Sequence, residues 1–134
     1  MLLVKKILKW IPSCIVLCLS FYLSSQSQIS QMPTFPYADK VVHLIFFTIL
    51  SFCIAFSCNV RGNRFYEIIL PTVLVVVYSF VDEFHQSFVP IRDASIGDLV
   101  FDFLGAFIGS CMFYFLMKFV VKRIKASIGR KQSL

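Results

Sequence analysis

The residues of this chain best equipped for chemistry are acids set inside apolar runs. Asp82 and Glu83 stand with His85 and Gln86 in "VVVYSFVDEFHQSF", Asp98 and Asp102 in "IGDLVFDFLGAFIG", and Asp39 with Lys40 and His43 in "ADKVVHLIFF". Carboxylates and a histidine in a poorly hydrated place have three chemical uses. They divide into proton donor and acceptor, hold a divalent cation through oxygen ligands, or accept hydrogen bonds from a cationic or donor-rich ligand. The sequence contains neither a Ser or Cys nucleophile motif nor HExxH. A hydrolase or transferase reading therefore rests on the carboxylates, with His43 as an alternative base. The structural alternative is that Lys40 and Arg92 pair with acids on neighbouring helices and fix a bundle.

Helical geometry separates the acids that ordinary helix physics explains from those it does not. Asp39 and Asp98 each open a helical segment, where capping and the positive helix end favour an acid, and Ser95 with Asp98 has the spacing of a capping box. Asp82 and Glu83 lie toward a C-terminal helix end, where the dipole disfavours anions. At about 100° per residue, Asp82, Glu83, His85 and Gln86 cover an arc of roughly 160°, with Phe80, Phe84 and Phe88 opposite. Asp98, Asp102, Gly105 and Gly109 fall within about 60° of one another. Gly105 and Gly109 form G-x-x-x-G, which lets a neighbouring helix come close and points the two acids at it. Asp39 and His43 are i, i+4 neighbours about 40° apart. Together these define a candidate polar cluster: Asp39, Lys40, His43, Asp82, Glu83, Gln86, Arg92, Asp98 and Asp102, with Gly105 and Gly109 as packing positions.

The elements that must position this cluster are membrane spans. Of the 134 residues, 58% are hydrophobic and 16% aromatic, against an apolar share of roughly 45–50% in soluble domains. A span takes about 20 helical residues, and four apolar stretches qualify, near residues 7–23, 41–58, 68–88 and 96–119. The expected fold is all-α: a polytopic membrane protein in a single domain over 1–134. The "LSSQ" after the first stretch resembles a signal-peptide cleavage site but has no alanine-like marker, so a retained helix is expected.

Charge placement sets the orientation. With the N-terminus inside, the inner side carries Lys5, Lys6, Lys9, Arg61, Arg64, Lys118, Lys122, Arg123, Lys125, Arg130 and Lys131, and the outer side only Lys40 and Arg92. The positive-inside rule then puts both termini in the cytoplasm and six of the seven acids, Asp93 included, toward the outer helix ends, with Glu67 inside. The connection "SSQSQISQMPTFPYA", with Pro33 and Pro36, suits an extended loop over that face. Bases confined to tails and one short loop fit anionic lipid head groups and argue against nucleic acid. Five cysteines without CxxC spacing read as small packing residues.

The stretches "DKVVH" (Asp39–His43) and "DEFHQSFVPIRDASIGDLVFDFLGAFIG" (Asp82–Gly109), with "SSQ" at Ser24–Gln26, resemble the VanZ-like family of small bacterial membrane proteins. The shared pattern is D-K-x-x-H, then D-E-x-x-Q, an Arg, and D-x-x-x-(N/D)-x-x-G-x-x-x-G; Asp102 stands where the family frequently has Asn. The resemblance implies a multi-pass protein of the cell envelope. The family's founding member is associated with reduced sensitivity to the glycopeptide teicoplanin, without an agreed biochemical mechanism.

Formal charge narrows the ligand. Six outer carboxylates against Lys40 and Arg92 leave −4 with both histidines neutral, which repels a bare phosphate unless a divalent cation mediates. The leading expectation is a binding site for an envelope lipid, a wall precursor or a membrane-protein partner. The alternatives are an outer-leaflet hydrolase or transferase acting on a lipid-linked substrate, metal-assisted or not, and a structural helper subunit. Four helices without a repeat leave little room for a transporter.

Overall fold

The computed structural model describes residues 2–27, 36–58, 63–92 and 95–132. Among them every regular element is helical: α1 Leu2–Leu8, α2 Ile11–Ser24, α3 Ala38–Cys58, α4 Arg64–Gln86 and α5 Ile96–Gln132. Four stretches are long and apolar enough to cross a membrane: Lys6–Ser24, Ala38–Cys58, Arg64–Gln86 and Ile96–Gly129. The expected loop over residues 28–35, Arg61 in the α3–α4 connection and Asp93 lie outside the described residues.

Two helix boundaries differ from expectation for identifiable reasons. The first span is broken between α1 and α2, because Pro12 has no N–H for the Leu8 carbonyl and its ring crowds that turn. At the other end, α5 does not stop near residue 119 but runs to Gln132. Hydropathy marks where an apolar environment ends, whereas Lys118, Lys122, Arg123 and Lys125 are good helix formers and let the helix continue as a basic, outward-facing extension.

Inside the bundle, α3 packs most extensively on α5, and the glycines explain why. A Cβ on Gly105 would lie 2.5 Å from the Leu44 carbonyl oxygen, and one on Gly109 would collide with the Thr48 carbonyl oxygen. The α5 backbone therefore rests on the α3 backbone, as small residues permit in a membrane where dispersion packing and interhelical hydrogen bonds drive association. Phe47, Leu50 and Ile54 of α3, Val75 of α4 and Ala106 of α5 form the apolar core. Beside it, Ser51 and Ser110 share a hydrogen bond of 2.7 Å, and Thr72 donates to Ser110 at 3.0 Å.

The first span joins this core through half-buried Val16 and Leu17 and through a stripe of buried hydroxyls. Ser13, Ser20 and Ser24 are the buried residues of α2, spaced along one stripe. Ser13 hydrogen-bonds Ser57 of α3 at 2.8 Å, and Ser57 also donates to the Lys9 carbonyl. Phe80, Phe84 and Phe88 face outward, 59%, 68% and 70% exposed. All five cysteines are free, with Cys14 and Cys18 on the outside of the bundle rather than in its packing.

Candidate functional site

The polar residues gather at one end of the bundle, where α2 and α4 finish and α3 and α5 begin. Asp82, Glu83 and Gln86 form the inward side of the last turns of α4, between 3% and 6% exposed. From α5, Asp98 and Asp102 arrive one turn apart, and Asp102 is completely buried. From α3 come Lys40 and His43.

Asp102 occupies the centre. The His43 Nδ1–H donates to its Oδ1 at 2.9 Å, and the Ser79 hydroxyl donates to its Oδ2 at 2.6 Å. One carboxylate thereby ties α3, α4 and α5 together and fixes the His43 ring, which also stacks on Phe47 at 6.0 Å. A carboxylate held on Nδ1 leaves Nε2 as the reactive nitrogen of the imidazole.

One turn nearer the bundle end, Lys40 reaches from α3 to Asp98 of α5 at 2.8 Å. Lys40 also meets Asp39 at 3.3 Å, but the Asp39 side chain is 46% exposed and stands outside the buried group. Asp39 and His43, i, i+4 neighbours on α3, thus serve different partners. Asp98 does not close the anticipated capping box either. Ser95 Oγ accepts from the Gly97 N–H at 3.1 Å, but the Ser95 N–H donates to Glu83 Oε2 of α4 at 3.0 Å. Glu83 has taken the role that the box would give Asp98, which frees Asp98 for Lys40.

That use engages only one oxygen of Glu83. Oε1 is buried with no hydrogen-bond partner, at a helix end where an unpaired carboxylate oxygen is costly. His43, Glu83 and Asp102 each present one potential ligand atom, all within 4.8 Å of one another. Asp82 turns the other way and accepts from Gln86 Nε2 at 3.0 Å within its own helix.

Arg92 does not pair with a carboxylate among the described residues. Its guanidinium donates from Nε to the Gln26 carbonyl and from Nη2 to the Leu23 carbonyl, both at 3.2 Å. It caps the C-terminal end of α2, where unpaired carbonyls and the helix dipole favour a cation. The preceding Ile91 adopts φ 69°, a strained conformation for a β-branched residue, and sets the chain that presents Arg92. His85 likewise belongs to the α2 contact: its Nε2 hydrogen-bonds Ser25 Oγ at 3.0 Å and its ring stacks on Phe21.

Between α2, α3 and α4 lies a cavity of about 40 Å³. Ser20, Ser24, His43, Asp82, Gln86 and Arg92 line its polar side, and Leu23, Val42, Phe46 and Phe47 its apolar side. Ser24 Oγ is buried there with no partner in hydrogen-bond geometry. A water needs roughly 10–15 Å³ by this measure, so the space fits about three waters or a small polar group of an amphiphile.

Sequence reasoning overlooked Ser79, which holds the central carboxylate, and the α2 serines that line the cavity. Ser79 stands three and four residues before Asp82 and Glu83, on the same helical face. That spacing was a usable signal.

No curated protein and no solved structure matches this chain. The VanZ/LLP1 family model matches residues 4–118, taking in the first three spans whole, the polar end and most of α5. On that match the chain is a member of the VanZ/LLP1 family.

Proposed function

We propose that this protein sits in the cell membrane with its polar end on the extracytoplasmic side, and there binds the polar part of an envelope lipid or lipid-linked wall precursor. The observation that carries this reading is the α2–α3–α4 cavity, a largely apolar space bordered by a few polar side chains. Asp82, Gln86 and His43 offer acceptors and Arg92 a cation, while Val42, Phe46 and Leu23 continue as apolar wall. Such a lining suits the junction between a head group and a chain. The buried acids outnumber the bases, so the favoured head group presents amine or hydroxyl donors rather than a bare phosphate. The excess of Lys and Arg at the opposite side of the spans supports the orientation.

Native mass spectrometry of the protein released from its own membranes tests this. The wild type should retain a specific lipid that Gln86→Leu and Asp82→Asn lose, while Phe84→Leu, on the outward face, keeps it. Equal lipid retention by all four proteins would remove the binding reading.

A second reading, a membrane-embedded hydrolase or transferase, is favoured by one arrangement. Asp102 orients His43 through Nδ1, as an acid orients a general base. Turnover of a lipid-linked substrate by purified protein, lost in His43→Gln, would replace binding by catalysis as the activity of this end. The helper-subunit reading draws on the Lys40–Asp98 pair and on the Asp102 contacts that tie α3, α4 and α5 together.

A further inference from the structure

We infer that His43, Glu83 and Asp102 form a binding site for one divalent cation, of the Zn²⁺ or Mn²⁺ type. Each residue offers a ligand atom, and the three lie within 4.8 Å of one another on three different helices. His43 Nδ1 and Asp102 Oδ1 stand 2.9 Å apart. An ion between them would replace the Nδ1 proton, which leaves the imidazole neutral with its proton on Nε2, and bonds of about 2.1 Å put two ligands roughly 3.0 Å apart at a right angle and roughly 3.4 Å apart in a tetrahedron. Small rotamer changes in Glu83 would bring the third donor in.

The independent pointer is Glu83 itself. The residue is 6% exposed; Oε2 is committed to the Ser95 N–H, and Oε1 has no partner. An oxygen in that condition is unfavourable as it stands and becomes favourable with a cation against it. Formal charge agrees. Among the described residues, four carboxylates are buried at this end, Asp82, Glu83, Asp98 and Asp102, and the bases beside them are Lys40 and Arg92. Two negative charges remain, which one divalent ion neutralises. One imidazole with two carboxylates suits Zn²⁺ or Mn²⁺ better than a thiolate-seeking metal, and three protein ligands leave coordination positions open. The site adjoins the cavity through His43 but stands whether or not that cavity takes a lipid.

The test uses the metal alone. Full-length protein in detergent, stripped with chelator, is titrated with Zn²⁺ and separately with Mn²⁺ by calorimetry, and the loaded protein is studied by X-ray absorption. One ion per chain is expected, bound at least about tenfold more weakly by Glu83→Gln and unchanged by Glu67→Gln on the far end of α4. The absorption spectrum should contain one imidazole and oxygen ligands without sulfur. Absence of saturable binding in the wild type, equal binding by Glu83→Gln, or sulfur ligation from the cysteines would each overturn the proposal.

Discussion

Substituting Gly105 by alanine probes the link between helix packing and the polar end. The added Cβ would lie 2.5 Å from the Leu44 carbonyl oxygen and 3.1 Å from the Thr48 amide nitrogen, and neither backbone atom can swing aside. Ordinary contact begins near 3.4 Å, so α5 must move from α3 by about 0.9 Å, the difference between 3.4 and 2.5. Leu44 follows His43 and Gly105 lies one turn from Asp102. If that displacement reaches the pair in full, its 2.9 Å hydrogen bond stretches to about 3.8 Å and is lost. Overpacking costs about 1–3 kcal/mol. The lost interhelical hydrogen bond adds about 0.6–1.7 kcal/mol in a membrane, and alanine's better helix propensity returns about 1 kcal/mol. The net is a loss of about 2 kcal/mol, roughly a thirtyfold shift in the folding equilibrium. Reversible unfolding in mixed micelles reads it directly, with Gly129→Ala as control, since a Cβ there meets nothing within 4 Å. Gly105→Ala as stable as Gly129→Ala would refute the close-packing argument and the spacing it imposes on His43 and Asp102.

Three further outcomes are expected. Lys40→Met leaves the 5%-exposed Asp98 without its cation and should destabilise by about 3–5 kcal/mol, with most of the loss recovered in Lys40→Met/Asp98→Asn, as a double-mutant cycle by micellar unfolding would measure. Ile91→Gly relieves a β-branched residue at φ 69° and should stabilise by about 1 kcal/mol in the same assay; a loss would mean that the outward Ile91 side chain is needed. A fluorescent protein fused after Leu134 should fluoresce in cells while an alkaline phosphatase fused there stays inactive, and the reverse pattern would invert the proposed orientation.

The sequence made the spans and most of the inward set of α4 legible because both are patterns of one helix: an apolar run, and an arc with Asp82, Glu83, His85 and Gln86 on one side and Phe80, Phe84 and Phe88 on the other, of which His85 turns to α2 instead. The same single-helix logic identified Gly105 and Gly109 as a close approach. It could not show which helix each acid would meet. Asp98 satisfies the local spacing of a capping box, yet the Ser95 N–H goes to Glu83 across the bundle, a choice made by packing. The structural alternative paired Arg92 with an acid, whereas Arg92 caps α2, because helix ends carry partial charges that a sequence does not display. The serine contacts were hidden for a different reason. A serine in a helix can satisfy its hydroxyl on its own turn, as Ser57 also does on Cys53, so the sequence does not tell a lone serine from a tether between helices.

On the proposed binding reading, the Glu83 carboxylate is kept for something it binds rather than for holding the fold. The most direct measurement is the unfolding free energy of Glu83→Gln beside wild type, both stripped of lipid and metal. A glutamine can still accept from the Ser95 N–H while removing a buried charge whose Oε1 satisfies nothing. The variant should be at least as stable as the wild type, the signature of a residue retained against stability. A loss of several kcal/mol would contradict it and make the carboxylate part of the scaffold.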